Sequence, residues 1–153
     1  MKMRKGFTLV ELLIVIVIIG ILAAAMLLSS GSATASAEAS NVISDLRSLK
    51  AASLMLYADS MDLFNSTTPP TLAVSYLTRY MDNPLKFGSG NYAFVRSGNI
   101  TNGVRWWVGF ELTGKSKEMK DKLQGKAATV GLYSSTQYGT FTNTSGKVFM
   151  VAR

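Results

Sequence analysis

The stretch LVELLIVIVIIGILAAAMLL (residues 9–28) decides the fold, because it is apolar along its whole length except at Glu11. About 20 apolar residues are enough for a helix to span the hydrocarbon core of a bilayer, which is about 30 Å thick. We therefore expect residues 7–28 to form a transmembrane helix. An acidic side chain within such a helix costs about 2.5–3.5 kcal/mol on insertion scales, which predicts a function for Glu11.

A short basic segment, residues 1–6, precedes the apolar stretch. Basic side chains beside an apolar helix favour retention of that end in the cytoplasm. Gly6 has no Cβ, so the backbone there can enter a protease cleft in an extended form. Cleavage between Gly6 and Phe7 would give Phe7 a free amine close to Glu11, and the two charges could neutralise each other.

The sequence KGFTLVE (residues 5–11) and the apolar run that follows it resemble the N-terminus of type IV pilins and of type II secretion pseudopilins. The resemblance covers about residues 2–28. It implies that a prepilin peptidase removes residues 1–6 as a leader peptide and that Phe7, the new N-terminus, is then N-methylated. It also implies a role in assembly for the next four residues, Thr8, Leu9, Val10 and Glu11.

The resemblance implies a structural subunit and not an enzyme. The chain would be the prepilin of a type IV pilus-like filament that serves adhesion, twitching motility or DNA uptake. Its partners would be further copies of itself or related pilins, the prepilin peptidase, and an inner-membrane assembly platform with its ATPase. It would cross the bacterial inner membrane once before assembly and lie in an extracellular pilus afterwards. The alternative within the family is a type II secretion pseudopilin in a periplasmic pseudopilus.

Two interpretations outside that family depend on the same apolar stretch. A secretory signal would be cleaved near ATASA (residues 33–37), but its apolar region usually has 7–15 residues and would not contain Glu11. A signal-anchored periplasmic enzyme or binding domain would keep the stretch as an anchor. A plain anchor has no need of a buried carboxylate, so Glu11 counts against this class as well.

Apolar residues recur every seven positions beyond the membrane segment, at Val42, Leu49, Leu56 and Leu63, with Leu46 between the first two. This spacing predicts one apolar stripe on a helix. We expect residues 29–64 to form the amphipathic half of a helix that starts at residue 7 and ends near residue 64, and that loosens at residues 29–31. The charged residues of this half mostly lie off the stripe: Asp45, Arg47, Lys50 and Asp59.

The remaining residues, 65–153, are expected to form a β-rich globular part packed on the helix. Their pattern predicts a short helix at residues 72–81 and a basic surface helix at residues 115–126. The predicted strands are residues 92–96, 104–112, 130–133, 139–142 and 147–152, with turns at residues 99–103 and 143–146. A long helix laid on a small antiparallel sheet is a pilin-like α+β fold.

The strongest strand prediction is residues 104–112, where apolar side chains alternate. Val104, Trp106, Val108 and Phe110 are expected on the core side of the sheet. Trp107 would then lie on the opposite side. It is expected to be covered by a loop or another subunit, and the alternative is an exposed binding aromatic.

The chain of 153 residues has no Cys and no His, which excludes disulfides, thiolate sites and the commonest general base. Its formal charge is +7. Five lysines form the densest basic cluster, and a solvated helix face is favoured over weak binding of DNA or a surface: Lys115, Lys117, Lys120, Lys122 and Lys126. Three Asn-x-Ser/Thr patterns begin at Asn65, Asn99 and Asn143 and are treated as loop markers. No catalytic residue, cofactor or metal site is predicted.

Overall fold

A computed structural model of the chain describes residues 6–65, 73–88, 90–97, 104–136 and 139–153, with the backbone alone for residues 28–30 and 65. The first helix, α1, runs from Leu9 to Asp59 over 51 residues. It is helical through residues 29–31, so the loosening expected there does not occur. The chain divides into two compact units, one ending at Thr34 and the other comprising Ala35–Arg153.

The first unit presents its apolar side chains on the outside of α1. The large apolar residues from Leu9 to Leu27 are 48–83% exposed, with Val15 at the lower limit and Leu27 at the upper. By length and composition α1 could cross a membrane, although a signal sequence at the N-terminus shares these properties. The uncovered side chains are those that a bilayer or neighbouring helices would cover.

The second unit begins with the amphipathic half of α1, whose apolar stripe is buried as predicted. Val42, Leu46, Leu49 and Leu56 are at most 5% exposed and belong to the core. Burial of four such side chains from water is the dominant favourable term for holding a helix on a sheet. The fifth residue of the expected stripe, Leu63, is only partly buried.

The expected end of the helix near residue 64 is wrong by about five residues. α1 ends at Asp59, Ser60 interrupts it, and a separate short helix, α2, spans Met61–Asn65. The amide of Ser60 still donates to the carbonyl of Leu56 at 2.9 Å. Serine competes for backbone hydrogen bonds and favours the ends of helices over their interiors, which accounts for the break.

Within the described residues, four strands form one antiparallel sheet in the order β1-β2-β4-β3. Their bounds are Tyr92–Ser97 for β1, Arg105–Glu111 for β2, Leu132–Tyr133 for β3 and Lys147–Val151 for β4. The hairpin prediction for β1 and β2 is confirmed, and its turn at residues 99–103 lies outside the described residues. With the α1 stripe on the core side of the sheet, the predicted α+β architecture is confirmed.

Local differences from the predictions occur between these strands. The helix expected at residues 72–81 is two 3-10 turns, Val74–Tyr76 and Thr78–Tyr80, and a further short helix, α3, spans Pro84–Phe87. Residues 139–142 form no strand but a single bridge between Tyr133 and Thr140. Two backbone hydrogen bonds flank this bridge, from the amide of Ser134 to the carbonyl of Gly139 at 2.7 Å and from the amide of Phe141 to the carbonyl of Leu132 at 3.1 Å.

The basic helix, α4, spans Lys117–Val130 and is longer at its C-terminus than predicted. The side chain of Ser116 caps it by accepting a hydrogen bond from the amide of Met119 at 3.2 Å. Gly131, with a φ of 76°, ends the helix in the left-handed conformation that favours glycine. Met119 and Leu123, four residues apart on this helix, are buried.

The two faces of β2 differ in the way the alternation predicts, but both are covered. Trp106, Val108 and Phe110 belong to the core cluster. Trp107 lies on the other face and is also fully buried, edge-on to Tyr133 with ring centroids 5.4 Å apart. The interpretation of Trp107 as an exposed binding aromatic is therefore wrong.

Candidate functional site

The first turn of α1 is organised by two side chains, Thr8 and Glu11. The amide and the hydroxyl of Thr8 each donate a hydrogen bond of 2.8 Å to Oε2 of Glu11. The amide of Glu11 donates in return to Oγ1 of Thr8 at 3.2 Å. This reciprocal pattern is a capping box, with Thr8 as N-cap and Glu11 three residues later.

The capping box fixes where the helix begins and leaves the preceding backbone open. Gly6, Phe7 and Thr8 are exposed and lie outside the helix. A Cβ placed on Gly6 would meet nothing within 4 Å. The peptide bond between Gly6 and Phe7 therefore lies in exposed, non-helical backbone, which is the form that a protease cleft accepts.

The other two predicted assembly residues, Leu9 and Val10, lie in the first helical turn and are 81% and 64% exposed. The structure thus brings Thr8 and Glu11 into contact and leaves Leu9 and Val10 as uncovered apolar surface. The capping role of Thr8 was missed from the sequence. Its signal was present, since Thr followed three residues later by Glu at the start of an apolar run is the capping-box pattern.

A second polar site lies in the globular unit, where Asp45 is 7% exposed. Lys86 Nζ lies 2.5 Å from its Oδ1, and the Tyr92 hydroxyl donates to its Oδ2 at 2.6 Å. Burial raises the pKa of Tyr92 strongly, and the hydrogen bond to Asp45 raises it further. The expectation that Asp45 lies off the buried stripe is wrong, because two partners distant in sequence compensate the buried charge.

The lysine cluster of α4 does not form one solvated face. Lys117 and Lys122 are exposed, as a solvated face requires. Lys126 instead donates to the hydroxyl of Ser40 on α1 at 2.9 Å, and Lys115 lies 6.0 Å from the centre of the Phe110 ring. The cluster is therefore divided between open solvent and contacts with the rest of the fold.

The third Asn-x-Ser/Thr pattern is engaged in structure. Asn143 Nδ2 donates to the carboxylate of Asp121 at 2.5 Å. The backbone amide of Asn143 donates to the side-chain oxygen of Gln124 at 2.9 Å. The Asn65 side chain and the second pattern lie outside the described residues. Within the described part of the chain, no group of three His, Cys, Asp or Glu side chains could hold a metal ion.

Comparisons with known proteins agree with this geometry. The family model described as the prokaryotic N-terminal methylation motif matches residues 1–27. Two curated relatives, both fimbrial proteins of Pseudomonas aeruginosa, are 36% identical to this chain over 90 residues. That match covers 59% of this chain and 57% of each relative, so the chain spans somewhat more than half of their length. No solved structure matches the chain significantly.

The methylation motif occupies the same residues as the capped start of α1, and the amphipathic half of that helix packs on a small antiparallel sheet. The similarity to the two fimbrial proteins supports the same family assignment over a longer part of the chain. The motif and the two relatives together support a type IV pilin family for this chain, on matches that cover residues 1–27 and 59% of its length.

Proposed function

We propose that this chain is the precursor of a structural subunit of a type IV pilus-like filament. The observation that carries the proposal is an exposed apolar helix of bilayer length whose single carboxylate, Glu11, is held at its first turn by Thr8. The same apolar surface can be covered by lipid before assembly and by neighbouring helices afterwards. The subunit is structural and has no catalytic role.

We further propose that a prepilin peptidase cuts between Gly6 and Phe7 and that Phe7 is then N-methylated. The exposed, non-helical backbone at this bond and the match to the methylation motif support this assignment. Residues 1–6 would be the leader and residues 7–28 the segment that passes from membrane to filament core. Residues 29–64 and 65–153 would form the amphipathic helix and the globular part at the filament surface.

In the proposed assembly step, Glu11 accepts the N-terminal amine of an adjoining subunit. Oε2 of Glu11 already accepts two hydrogen bonds from Thr8, while no contact of Oε1 is part of the capping box. The carboxylate can therefore keep its cap and present its other oxygen to a cation. Leu9 and Val10 would be covered by neighbouring helices in the same step.

The proposed partners are the peptidase, an inner-membrane assembly platform with its ATPase, and further copies of the chain or related pilins. Adhesion, twitching motility and DNA uptake are the roles that such a fibre serves. A pseudopilin of a type II secretion system would share the N-terminal features. The name fimbrial protein, carried by both relatives, favours a pilus over a pseudopilus.

Two measurements test the proposal. Mass spectrometry of the protein from membranes should show a chain that starts at Phe7 and carries one additional methyl group. Electron microscopy of cells with and without the gene should show surface fibres only when it is present, with the protein in the sheared fraction. A mature N-terminus at Ser36 or Glu38 would indicate a conventional signal peptide and contradict the proposal.

A further inference from the structure

The exposed face of α1 in the globular unit carries a basic groove at one end. The groove has a volume of about 270 Å³ and lies between α1 and α4. Arg47 and Lys126 supply its charge and the hydroxyls of Ser40 and Ser44 its other polar groups. Arg47 is exposed and has no carboxylate within ion-pair distance among the described residues. The basic groove can therefore receive an anionic group from outside.

An apolar strip follows the basic groove on the same exposed face of α1. It consists of Ala51, Leu54, Met55 and Ala58, which recur at the spacing of three and four residues that lines up side chains on a helix. Leu54 is 46% exposed and Met55 is 53% exposed. Contiguous exposed apolar side chains with polar surroundings are typical of contact surfaces.

Two carboxylates, Asp59 and Asp62, form an acidic end beyond the apolar strip. Both are exposed, and Asp59 accepts a 2.7 Å hydrogen bond from the hydroxyl of Tyr80. A neighbouring cation is Arg79, whose guanidinium lies 5.3 Å from the centre of the Tyr80 ring. Two negative groups against this positive group leave the acidic end negative.

We propose that a second copy of this chain docks on this face, with its acidic end in the basic groove of the first copy. The inference rests on the proposed function, since it describes a contact between subunits of the filament. Charge complementarity selects the partner, because the chain carries both the basic groove and the acidic end. Complementary charges of this kind contribute specificity and register more than raw affinity.

The geometry of the helix favours a contact that repeats. Arg47 and Asp59 are 12 residues apart, or about 18 Å along a helix at about 1.5 Å per residue. Suppose that parallel copies turn this face towards a common axis and that each is displaced from the next by about 18 Å along the helix. The acidic end of one copy then lies at the basic groove of the next. α2, which carries Asp62, also exposes Met61, which would then lie over the neighbour's apolar strip. Because the two surfaces in contact differ, the contact can repeat without closing, as a filament requires.

Reciprocal charge reversal in the full-length chain tests the contact. Arg47→Glu and Asp62→Lys, each alone, are expected to reduce the yield of sheared fibres at least tenfold, and the double variant is expected to restore it. Lys117→Glu is the matched control, since Lys117 is exposed on α4 but lies outside the basic groove. Its fibre yield should equal that of wild type.

The absence of cysteine from the chain allows a second, direct measurement. Fibres of Arg47→Cys with Asp62→Cys should give an oxidant-dependent ladder of dimers and higher multimers on a non-reducing gel. Lys117→Cys with Asp62→Cys should not. Normal wild-type fibres with no ladder and with full yield from Arg47→Glu would overturn the contact and leave the proposed function standing. Absence of wild-type fibres would overturn both.

Discussion

The Asp45 carboxylate and the Lys86 ammonium lie 2.5 Å apart although 41 residues separate them in sequence. The Asp45 side chain is 10% exposed, whereas that of Lys86 is 46% exposed. The Tyr92 hydroxyl bonds to the other carboxylate oxygen. One buried carboxylate on α1 thus binds a side chain of α3 and a side chain at the start of β1. The position of α3 and of the start of β1 against α1 depends on this carboxylate.

Removing this carboxylate should destabilise the chain more than neutralising it. Asp45→Ala leaves the Tyr92 hydroxyl without its acceptor and opens a polar void, so the free energy of unfolding should fall by about 2–4 kcal/mol. Asp45→Asn keeps an acceptor for Tyr92 and should lose about 1–2 kcal/mol. Denaturant unfolding of the detergent-solubilised chain measures both. Asp82→Ala, at an exposed position, is the control, and equal losses in all three variants would contradict the assigned role.

The raised pKa of Tyr92 predicts a loss of stability at alkaline pH. Burial and the bond to Asp45 favour the protonated phenol in the folded state, whereas the unfolded phenol titrates near its ordinary value of 10. The unfolded chain therefore releases this proton first, so the stabilisation is complete below pH 10 and decreases as the pH rises above it. Thermal unfolding between pH 8 and about 11 should show the decline.

Tyr92→Phe distinguishes the contribution of the Tyr92 phenol to the alkaline loss of stability from the contributions of other groups. Tyr80, whose pKa is raised by its bond to Asp59, also contributes. The phenylalanine variant should be less stable than wild type at pH 8. Its melting temperature should then fall less steeply above pH 10, and a slope identical to that of wild type would exclude Tyr92 as a source.

The sequence predicts the helix stripe and the main strands because both depend on local periodicity. Val42, Leu49 and Leu56 needed only their spacing to be assigned to the core, and β2 needed only its alternation. Asp45 could not be predicted, because burial of its charge depends on Lys86 and Tyr92, which are 41 and 47 residues away. The break at Ser60 was missed for a related reason, since a single polar residue within a helical pattern is often tolerated.

Gly109 is predicted to tolerate no larger side chain while Phe149 remains in place. The two residues are partners in the β2–β4 ladder, and a Cβ at Gly109 would lie 2.7 Å from two carbons of the Phe149 ring. Gly109→Ala should therefore lower the free energy of unfolding by about 1–3 kcal/mol. In the Phe149→Ala background the same change should cost less, with a coupling of at least about 0.5 kcal/mol in a double-mutant cycle. Additive losses would show that the ring does not occupy this space.

The proposed processing and assembly residues were identified from the sequence, and their roles stay a prediction. The basic leader, Gly6 and Glu11 were identified because the proposed cleavage and charge neutralisation need those residue types in that order. The bond between Thr8 and Glu11 is local and was readable as well. The docking face on α1 was not, since it depends on which residues the sheet and α4 leave exposed.

Replacement of Glu11 should separate membrane insertion from filament growth. Glu11→Ala removes a carboxylate from lipid, which should favour insertion by about 3.5 kcal/mol at most. It also removes the partner proposed for the Phe7 amine of an adjoining subunit. Breaking one side of a buried ion pair costs about 3–5 kcal/mol because the other charge is left uncompensated, a factor of more than about a hundred in a docking equilibrium. The variant should therefore accumulate in the membrane and yield few fibres.

Thr8→Ala is the matched control, because Glu11→Ala also abolishes the capping box. Thr8→Ala loses the two hydrogen bonds made by the Thr8 hydroxyl, at about 0.5–2 kcal/mol, but keeps the carboxylate and the bond that it accepts from the backbone amide of residue 8. If pairing with the amine is the main role of Glu11, the yield of sheared fibres should fall much further in Glu11→Ala than in Thr8→Ala, and the membrane pool should rise further. Equal fibre yields in the two variants would assign Glu11 to helix capping alone. Since the cap lies within one subunit, filament growth would then have to depend on apolar contacts, such as those of Leu9 and Val10.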